Sequence, residues 1–551
     1  MKFKLLVVLI ILHISYTQAQ QYTSPVNFAL TLSGNVGEVR SNHFHTGIDI
    51  KALNGVGTPV LSIADGYVSR IGIAPFGYGN FICITHLDGS TSLYGHLNGL
   101  ATEYQKWIEK EQYASKSYHI DRFIQKGLFT VTQGQTIGYI GNSGASAGAH
   151  LHLEIRDAVT QNPINIIAKS IYKIADHVAP IVSKVFVYQQ DNINGIPIFS
   201  LTQTIDLLDK SSSTPSIKIS KPAYLAYQTI DYKDGKTNTM GVYSIVQKVD
   251  SLINFSFKND QVSFATTRYI NSYIQYDKNS SSGKYDVIRA YKSPSNALNI
   301  YKNIINNGLI APSAKSVETE ILDDAGNKTT IQLSIEYSSI PLEQNQIQEL
   351  NKIIVASNYF SFKNDDFTVN IPQNTLYDNA ILPFYTDTLN TPHRYIVGNS
   401  NTPLHKSITL MIKPSTPLIN SSKALIAKVS GPTKFSSVGG KFINGTLQTQ
   451  IKTFGTYQIM YDTIAPKITA KQKNGIVINN SIKYNISDNL SGIIIYKMFV
   501  DGQWALAEYD PKNALLTLKI KPTQTTTSHE VVVEVTDYKN NKTTKKYSYK
   551  W

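Results

Sequence analysis

The chain has 551 residues, of which 17% are charged and 42% are hydrophobic, and it carries 52 Lys and Arg against 39 Asp and Glu. At about 150 residues per domain, this length predicts three or four domains with enough apolar side chains to form cores. The single cysteine excludes a disulfide framework and any cysteine-rich zinc module.

The N-terminus has the pattern of a signal peptide, predicted over residues 1–19. Lys2 and Lys4 precede an apolar run at 5–14, and Ala19 stands where a small residue marks the cleavage site. An uncleaved anchor is disfavoured because the run is shorter than the ~18 residues of a membrane span. We therefore expect an exported protein in the periplasm or at the cell surface, with no membrane span after signal cleavage.

Residues from 22 to about 170 are rich in glycine and are predicted to form short strands joined by tight turns. Alternation or β-branched enrichment indicates six strands, at 58–63, 66–73, 80–86, 91–96, 136–140 and 150–156. One helical insertion is predicted over 102–118, because Tyr104, Trp107 and Ile108 recur at helical spacing. Thr102 is its expected N-cap.

The remainder of the chain is β-rich and contains an internal echo. Asp176-His-Val-Ala-Pro180 and Asp462-Thr-Ile-Ala-Pro466 open two segments, which close with Asp323-Asp-Ala-Gly-Asn-Lys-Thr-Thr330 and Asp537-Tyr-Lys-Asn-Asn-Lys-Thr-Thr544. These ends resemble bacterial immunoglobulin-like domains. We predict an all-β protein in which β-sandwich modules at 176–340, 341–461 and 462–551 follow one N-terminal domain at 20–175.

The last module is cationic, since residues 463–551 hold 13 Lys against 7 Asp and Glu, a difference of +6. Such a charge favours an anionic envelope polymer as a partner, and a protein partner for the β modules is also possible. The alternative is that lysines on edge strands prevent aggregation. No nucleic-acid-binding motif is present, and we expect no nucleic-acid partner.

The chemistry is expected between residues 43 and 152, a window that holds seven of the 12 histidines, at positions 43, 45, 86, 96, 119, 150 and 152. Two short patterns stand out, His45-Thr-Gly-Ile-Asp49 and His150-Leu-His152. Residues i and i+2 of a strand share a face, so one histidine of the second pair can bind a metal while the other lies beside it. Two histidines and one carboxylate leave zinc a fourth position for water.

From these residues alone, His43 and His45 are nearly equal candidates for a metal ligand, because His43-Phe-His45 is a second His-x-His pattern. His96 closes another predicted strand and is a candidate donor to a developing oxyanion.

Residues 40–157 resemble the lysostaphin-type zinc endopeptidases, which cleave peptide bonds in peptidoglycan stems and cross-bridges. The resemblance is carried in order by His45-Thr-Gly-Ile-Asp49, Val60 to Val68, Gly77-Tyr-Gly-Asn80, Tyr94-Gly-His-Leu97, Gln133 to Gly144, and His150-Leu-His-Leu-Glu154. It implies a two-sheet, mostly antiparallel β domain with a groove across one zinc ion. It also implies that His45, Asp49 and His152 bind the zinc, that His150 is the general base or orients the water, and that His96 stabilises the tetrahedral intermediate.

The expected function is that of an exported zinc metallo-endopeptidase acting on peptidoglycan peptides. The alternatives are a non-enzymatic envelope scaffold or wall-binding protein, and a zinc peptidase that acts on a non-wall protein. The helical insertion follows the strand of His96 and is expected to narrow or gate the groove, or else to be a surface support.

Overall fold

The computed structural model describes residues 21–551 apart from 209–213, 280–283, 339–349, 473–474 and 522–526. The predicted signal peptide, with Lys2 and Lys4, lies outside the described residues. Strands account for 49% of the chain and helices for 6%, which confirms the all-β fold class. None of the described helices combines the length and apolar character that crossing a membrane would require.

The N-terminal domain is built from two main antiparallel sheets. Its strands are β1 Leu32–Gly34, β2 Val39–Arg40, β3 His43–Phe44, β4 Ile48–Lys51, β5 Pro59–Leu61, β6 Gly66–Ile73, β7 Phe81–His86, β8 Thr91–Gly95, β9 Gly99–Leu100, β10 Ile120–Phe123, β11 Thr130–Val131, β12 Thr136–Tyr139 and β13 His150–Arg156. The larger sheet has the order β1-β4-β13-β8-β7-β6-β10, with β11 also paired to β6. The smaller sheet has the order β5-β12-β9, and β2 pairs with β3.

The helical insertion forms one helix, α1 Thr102–Ser115. Its N-cap is Ala101 and not Thr102 as predicted, because Thr102 is already the first helical residue. Tyr104 and Ile108 are fully buried, so the apolar face recognised from the sequence anchors the helix to the domain. The helix ends at Ser115, and its C-cap residue Lys116 adopts a left-handed conformation.

The second module, which follows the N-terminal domain, contains a five-stranded and a six-stranded sheet. Its strands are β14 Ile181–Ile193, β15 Ile196–Asp206, β16 Ser216–Ile219, β17 Ala223–Tyr232, β18 Thr239–Met240, β19 Ser244–Val249, β20 Leu252–Lys258, β21 Asp286–Arg289, β22 Tyr301–Ile304, β23 Ser316–Leu322 and β24 Lys328–Tyr337. Four short helices accompany them: α2 Ile270–Tyr273, α3 Tyr276–Asn279, and the 3-10 turns Thr267–Tyr269 and Asn306–Gly308. The sheet orders are β15-β14-β17-β18, with β21 on β17, and β16-β24-β23-β19-β20-β22.

The third and fourth modules are each formed by two further antiparallel sheets. The strands of the third module are β25 Asn351–Ile354, β26 Phe360–Lys363, β27 Phe367–Ile371, β28 Ala380–Asp387, β29 Arg394–Val397, β30 Ile408–Ile412, β31 Ala424–Val429, β32 Phe435–Gly439, β33 Lys441–Ile443, β34 Thr446–Ile451 and β35 Gly455–Tyr461. Those of the fourth are β36 Lys467–Ala470, β37 Ser481–Ser487, β38 Ile493–Val500, β39 Gln503–Ala505, β40 Ala507–Asp510, β41 Leu515–Lys519, β42 Ser528–Asp537 and β43 Lys542–Lys550. The fourth module pairs the sheets β36-β37-β41-β40 and β39-β38-β42-β43.

The buried hydrophobic clusters do not correspond one to one with the four modules. One buried cluster extends from Val26 to Ile335, so the N-terminal domain and the second module are joined by a continuous core. Separate clusters fill the third and fourth modules. The second module therefore packs against the N-terminal domain and supports it.

A buried ion group reinforces this joint. The ammonium of Lys233 donates to Asp176 Oδ2 at 2.7 Å and also to Asp324 Oδ1, and all three side chains are at most 3% exposed. Asp324 Oδ2 in turn accepts a hydrogen bond from Asn35 Nδ2 of the N-terminal domain at 2.9 Å. Buried carboxylates need such a partner, because an unpaired charge in an apolar interior is strongly unfavourable.

Replacing Lys233 with methionine is expected to lower the free energy of unfolding by about 3–5 kcal/mol at pH 7, because it leaves buried carboxylates without their cation. Urea unfolding of the mature chain measures this. Lys236→Met is the matched control, since Lys236 is exposed on the same turn. Equal unfolding midpoints for the two variants would contradict this account of the joint.

Candidate functional site

The register of the larger sheet brings the two histidine patterns together. In the pairing of β13 with β4, His152 lies opposite Asp49, and in its pairing with β8 the same residue lies opposite Gly95. His45 comes three residues before β4, and His96 directly follows β8. Three neighbouring strands, β4, β13 and β8, therefore place four predicted site residues beside one another at the same end of these strands.

Three of these side chains converge closely. His45 Nε2 lies 3.0 Å from Asp49 Oδ1 and 3.1 Å from His152 Nδ1, and His152 Nδ1 lies 3.0 Å from Asp49 Oδ1. All three residues are buried. One atom from each of His45, Asp49 and His152 could thus bind the same metal ion.

The remaining nitrogen of each histidine has a fixed partner. His45 Nδ1 lies 2.7 Å from the carbonyl oxygen of Asn35, and His152 Nε2 lies 3.1 Å from Glu154 Oε1. These contacts leave His45 Nε2 and His152 Nδ1 directed toward Asp49. Hydrogen bonds of this kind orient metal-binding imidazoles and set their tautomers.

His96 and His150 line the same site, and both are oriented by one loop. His96 Nδ1 donates to the carbonyl oxygen of Ser143 at 2.8 Å, and His150 Nδ1 donates to that of Gly148 at 2.8 Å. The two rings are 4.8 Å apart, and His150 Nε2 lies 3.4 Å from Asp49 Oδ1. The Nε2 atoms of both histidines are therefore the ones available to a bound molecule.

Two backbone features make this convergence possible. A Cβ atom at Gly47 would lie 2.4 Å from the carbonyl oxygen of Leu153, so only glycine allows the segment between His45 and Asp49 to approach β13. His96 adopts a φ of 60°, which is uncommon for a residue other than glycine. Such backbone strain concentrates at functional sites.

Burial and charge separate the pKa values of these groups. Burial, together with electrostatic repulsion from the neighbouring rings of His152 and His150, lowers the pKa of His96 to about 3, so His96 is neutral at pH 7. Burial also lowers the pKa of His45. For Asp49, burial opposes ionisation, but the neighbouring histidines outweigh it and hold the pKa well below its ordinary value.

His152 differs from the other histidines because it contacts two carboxylates. Burial disfavours its charged form, but hydrogen bonds to Asp49 and Glu154 outweigh this and raise its pKa to about 9. Glu154 is itself completely buried and accepts hydrogen bonds from Tyr78 at 2.6 Å and from Arg156 Nε at 2.8 Å. Its pKa is lowered by His152 and Arg156 against the effect of burial.

The structure brings together all five residues that the sequence analysis selected and separates them from His43. The ring of His43 is exposed and hydrogen-bonded to the carbonyl oxygen of Ser41, so it points away from the other histidines. The sequence reasoning gave no role to Glu154 or Asn35. Glu154 could have been recognised, since it continues the alternation of His150 and His152 on one strand face, whereas no sequence signal marked Asn35.

The fourth module also contacts this region. Lys512 Nζ donates to the carbonyl oxygen of Ser146 at 3.0 Å and to that of Asn142, on the loop that orients His96 and His150. Nearby, the ring of Tyr113 on α1 packs edge-on against Trp504 at 5.4 Å. The helical insertion and the loop therefore both border the fourth module.

Comparison with known proteins shows which family this domain resembles. Residues 43–119 match the model of peptidase family M23, which spans His45, Asp49 and His96. The N-terminal domain is an M23 peptidase domain. A second match, of residues 351–462 to the Zu5-like domain, coincides with the third module and was not anticipated from the sequence.

The relatives of this chain are similar to it over the M23 domain. The DD-carboxypeptidase/endopeptidase Mpg of Neisseria meningitidis is 33% identical over 121 residues, which are 22% of this chain and 21% of that protein. The peptidoglycan DD-endopeptidase ShyC of Vibrio cholerae is 31% identical over 120 residues, 22% of each chain. The chain thus spans about a fifth of the length of these curated relatives.

Two solved structures are similar to the same part. The catalytic domain of the prophage-encoded M23 protein EnpA from Enterococcus faecalis is 25% identical, with a TM-score of 0.19, and covers 25% of this chain and 92% of its own. The catalytic domain of lysostaphin from Staphylococcus simulans is 25% identical, with a TM-score of 0.17. The alignment covers 22% of this chain and 77% of that structure.

In chelator-treated protein at pH 7, His152 is expected to carry protons on both ring nitrogens. Because its folded-state pKa of about 9 exceeds the unfolded value of about 6.5, this group stabilises the chelator-treated fold below pH 6.5. That contribution is lost as the pH rises through about 9. Nitrogen-15 NMR of the histidine side chains measures the titration.

Glu154→Gln is expected to lower the pKa of His152, since it removes one of the two carboxylates that hold the proton. Glu109→Gln, on helix α1, is the control and should leave the titration unchanged. A His152 pKa near 6.5 in the wild type, or one unaffected by Glu154→Gln, would show that Glu154 does not control this histidine.

Proposed function

We propose that the protein is an exported zinc metallo-endopeptidase that hydrolyses peptide bonds in peptidoglycan stems or cross-links. The observation that carries this proposal is the convergence of His45, Asp49 and His152 beside two further histidines, His96 and His150, whose Nδ1 atoms are held by backbone carbonyl oxygens. The M23 relatives named for peptidoglycan DD-endopeptidase activity support the choice of substrate. The predicted signal peptide supports export.

The donor atoms fit a zinc ion. Tetrahedral zinc with bonds of ~2.0–2.1 Å sets its ligand atoms about 3.3 Å apart, and the three atoms of His45, Asp49 and His152 are separated by 3.0–3.1 Å. Two imidazoles and one carboxylate are a donor set typical of catalytic zinc, which keeps one position for water or substrate. Glu154 and Asn35 complete the site by fixing the ligand histidines.

When bound, zinc would polarise the scissile carbonyl and lower the pKa of water to ~7, which provides a nucleophile at neutral pH. His150 is placed to hold the proton of that water, since its Nδ1 is fixed by Gly148 and its Nε2 faces Asp49. His96 is neutral at pH 7 because burial lowers its pKa, and since its Nδ1 proton is directed to Ser143, its Nε2 carries no proton. We assign His96 to the stabilisation of the tetrahedral intermediate, in which its unprotonated Nε2 would accept a hydrogen bond from the hydroxyl group that the added water leaves on the intermediate.

The β modules would position this domain at the cell wall. The fourth module contacts the loop of His96 and His150 through Lys512, and its net positive charge suits an anionic envelope polymer. A protein partner for the modules is the alternative. We propose that the helical insertion fixes the fourth module beside the groove through Tyr113 and Trp504.

Digestion of purified peptidoglycan by residues 20–551 tests the proposed function. Wild-type protein with zinc is expected to remove cross-linked muropeptides, and chelator or His152→Ala is expected to abolish this, because each removes the metal or a ligand. Mass spectrometry of the products identifies the bond that is cut. His43→Ala is the matched control and should retain activity, since His43 faces solvent.

His96→Ala separates catalysis from metal binding in the same assay. It is expected to lower kcat by about 10²–10³-fold while the zinc content stays at one ion per chain. Zinc binding without release of any muropeptide by the wild type would contradict the proposal and favour a non-enzymatic scaffold. Cleavage of an unrelated protein in place of peptidoglycan would favour the non-wall peptidase.

A further inference from the structure

A second group of acidic side chains lies where the third module meets the fourth. Asp462 precedes β36, Asp488 follows β37, and Asp537 ends β42. One carboxylate oxygen from each lies within 4.8 Å of the others. Asp462 and Asp537 are 0% exposed, so two of these carboxylates have no access to water.

Backbone N–H groups hold these carboxylates in place. Asp462 Oδ2 accepts from the N–H of Ser491 at 2.9 Å, and Asp488 Oδ2 accepts from that of Gly492 at 2.7 Å. Asp537 Oδ1 accepts from the N–H of Asn541 at 2.8 Å. The loop after β37 and the turn after β42 therefore orient the three side chains toward one another.

Several oxygen atoms of the group have no partner. Asp462 Oδ1, Asp488 Oδ1 and Ser491 Oγ are buried, and each lacks a hydrogen bond among the described residues. A buried carboxylate oxygen without a partner is unfavourable, since it loses its hydration with no replacement. The unpartnered oxygen of the fully buried Asp462 thus indicates a missing positively charged ligand.

No side-chain cation fills this role in the part of the chain that the structure describes. Among the described residues, no nitrogen of Lys, Arg or His lies within 4.0 Å of the three carboxylates. The two nearby ammonium groups are directed elsewhere: Lys423 Nζ donates to Asn541 Oδ1 and the carbonyl oxygen of Lys539, and Lys539 Nζ donates to that of Gly440.

The second module contains a similar group of three carboxylates, one of which is paired with an ammonium group. Asp176, Asp231 and Asp323 occupy the matching positions: in the opening motif, at the end of a strand, and in the closing motif. There the ammonium of Lys233, two residues after Asp231, binds Asp176 at 2.7 Å and also Asp324, the residue next to Asp323, whereas the two carboxylate oxygens of Asp231 have no hydrogen-bond partner among the described residues. In the fourth module the residue two positions after Asp488 is Leu490, which carries no charge.

We propose that Asp462, Asp488 and Asp537 bind one Ca²⁺ ion in the fourth module, where no ammonium group takes the part that Lys233 has beside Asp176 in the second. The donors are all oxygen atoms, which favours a hard cation over zinc. Ca²⁺ accepts six to eight oxygen ligands in irregular geometry, whereas Mg²⁺ requires a near-ideal octahedron. Ser491 Oγ and water would complete the coordination. The proposal is independent of the peptidase activity.

Calorimetric titration of the zinc-loaded mature chain with CaCl₂ tests this site, with MgCl₂ as the comparison cation. Wild-type protein is expected to bind one Ca²⁺ per chain and to melt at a higher temperature in its presence, because the ligand binds only the folded state. Asp488→Asn is expected to weaken Ca²⁺ binding by about tenfold or more, since ligand charge sets the affinity of oxygen sites.

Asp231→Asn is the matched control in the second module and should bind Ca²⁺ as the wild type does. Unchanged zinc content and circular dichroism establish that each variant is folded. Absence of Ca²⁺ binding up to about 10 mM, above the range of extracellular calcium modules, would overturn the proposal. Equal binding by Asp488→Asn, or loss of binding in Asp231→Asn, would also overturn it.

Discussion

The antiparallel register of β13 with its two neighbours is the constraint on which the site depends. His152 lies opposite both Asp49 and Gly95, so residues far apart in the chain meet at one edge of the sheet. A shift of one residue in this register would turn His152 and Glu154 to the opposite face and dismantle the group. The fold protects the register by packing β13 between two strands in a sheet whose core continues into the second module.

The residues around the site fix the orientation and the hydrogen-bonding state of the histidines. Glu154, which is buried and paired with Arg156, fixes Nε2 of His152, the nitrogen that does not face Asp49. The carbonyl oxygen of Asn35 fixes the corresponding nitrogen of His45, Nδ1. Asn35 also binds Asp324, whose other oxygen is held by Lys233. A chain of hydrogen bonds and ion pairs thus runs from the second module to a proposed zinc ligand. The loop that orients His96 and His150 is also contacted by the fourth module, so two modules outside the M23 domain contact residues that hold the site in place.

Much of this could be predicted from the sequence, for identifiable reasons. Strands with β-branched alternation appear where they were expected, because a half-buried sheet requires that pattern. His45, Asp49, His96, His150 and His152 were recognised because they stand in short, ordered motifs. The N-cap of α1 was misplaced by one residue, since propensity does not fix a helix end to the residue. Asn35 and Lys233 were missed because their roles depend on contacts with residues 57 to 289 positions away in the chain, which leave no local pattern. The motifs that contain Asp462 and Asp537 were interpreted only as the beginning and end of a domain, although their carboxylates are buried together.

Anomalous diffraction at the zinc edge, from crystals of the zinc-loaded chain, tests the central claim most directly. The account predicts one zinc ion bound by His45 Nε2, an oxygen of Asp49 and His152 Nδ1, with the fourth position free of protein side chains. A zinc ion bound through His43, or one enclosed by four protein ligands, would contradict it.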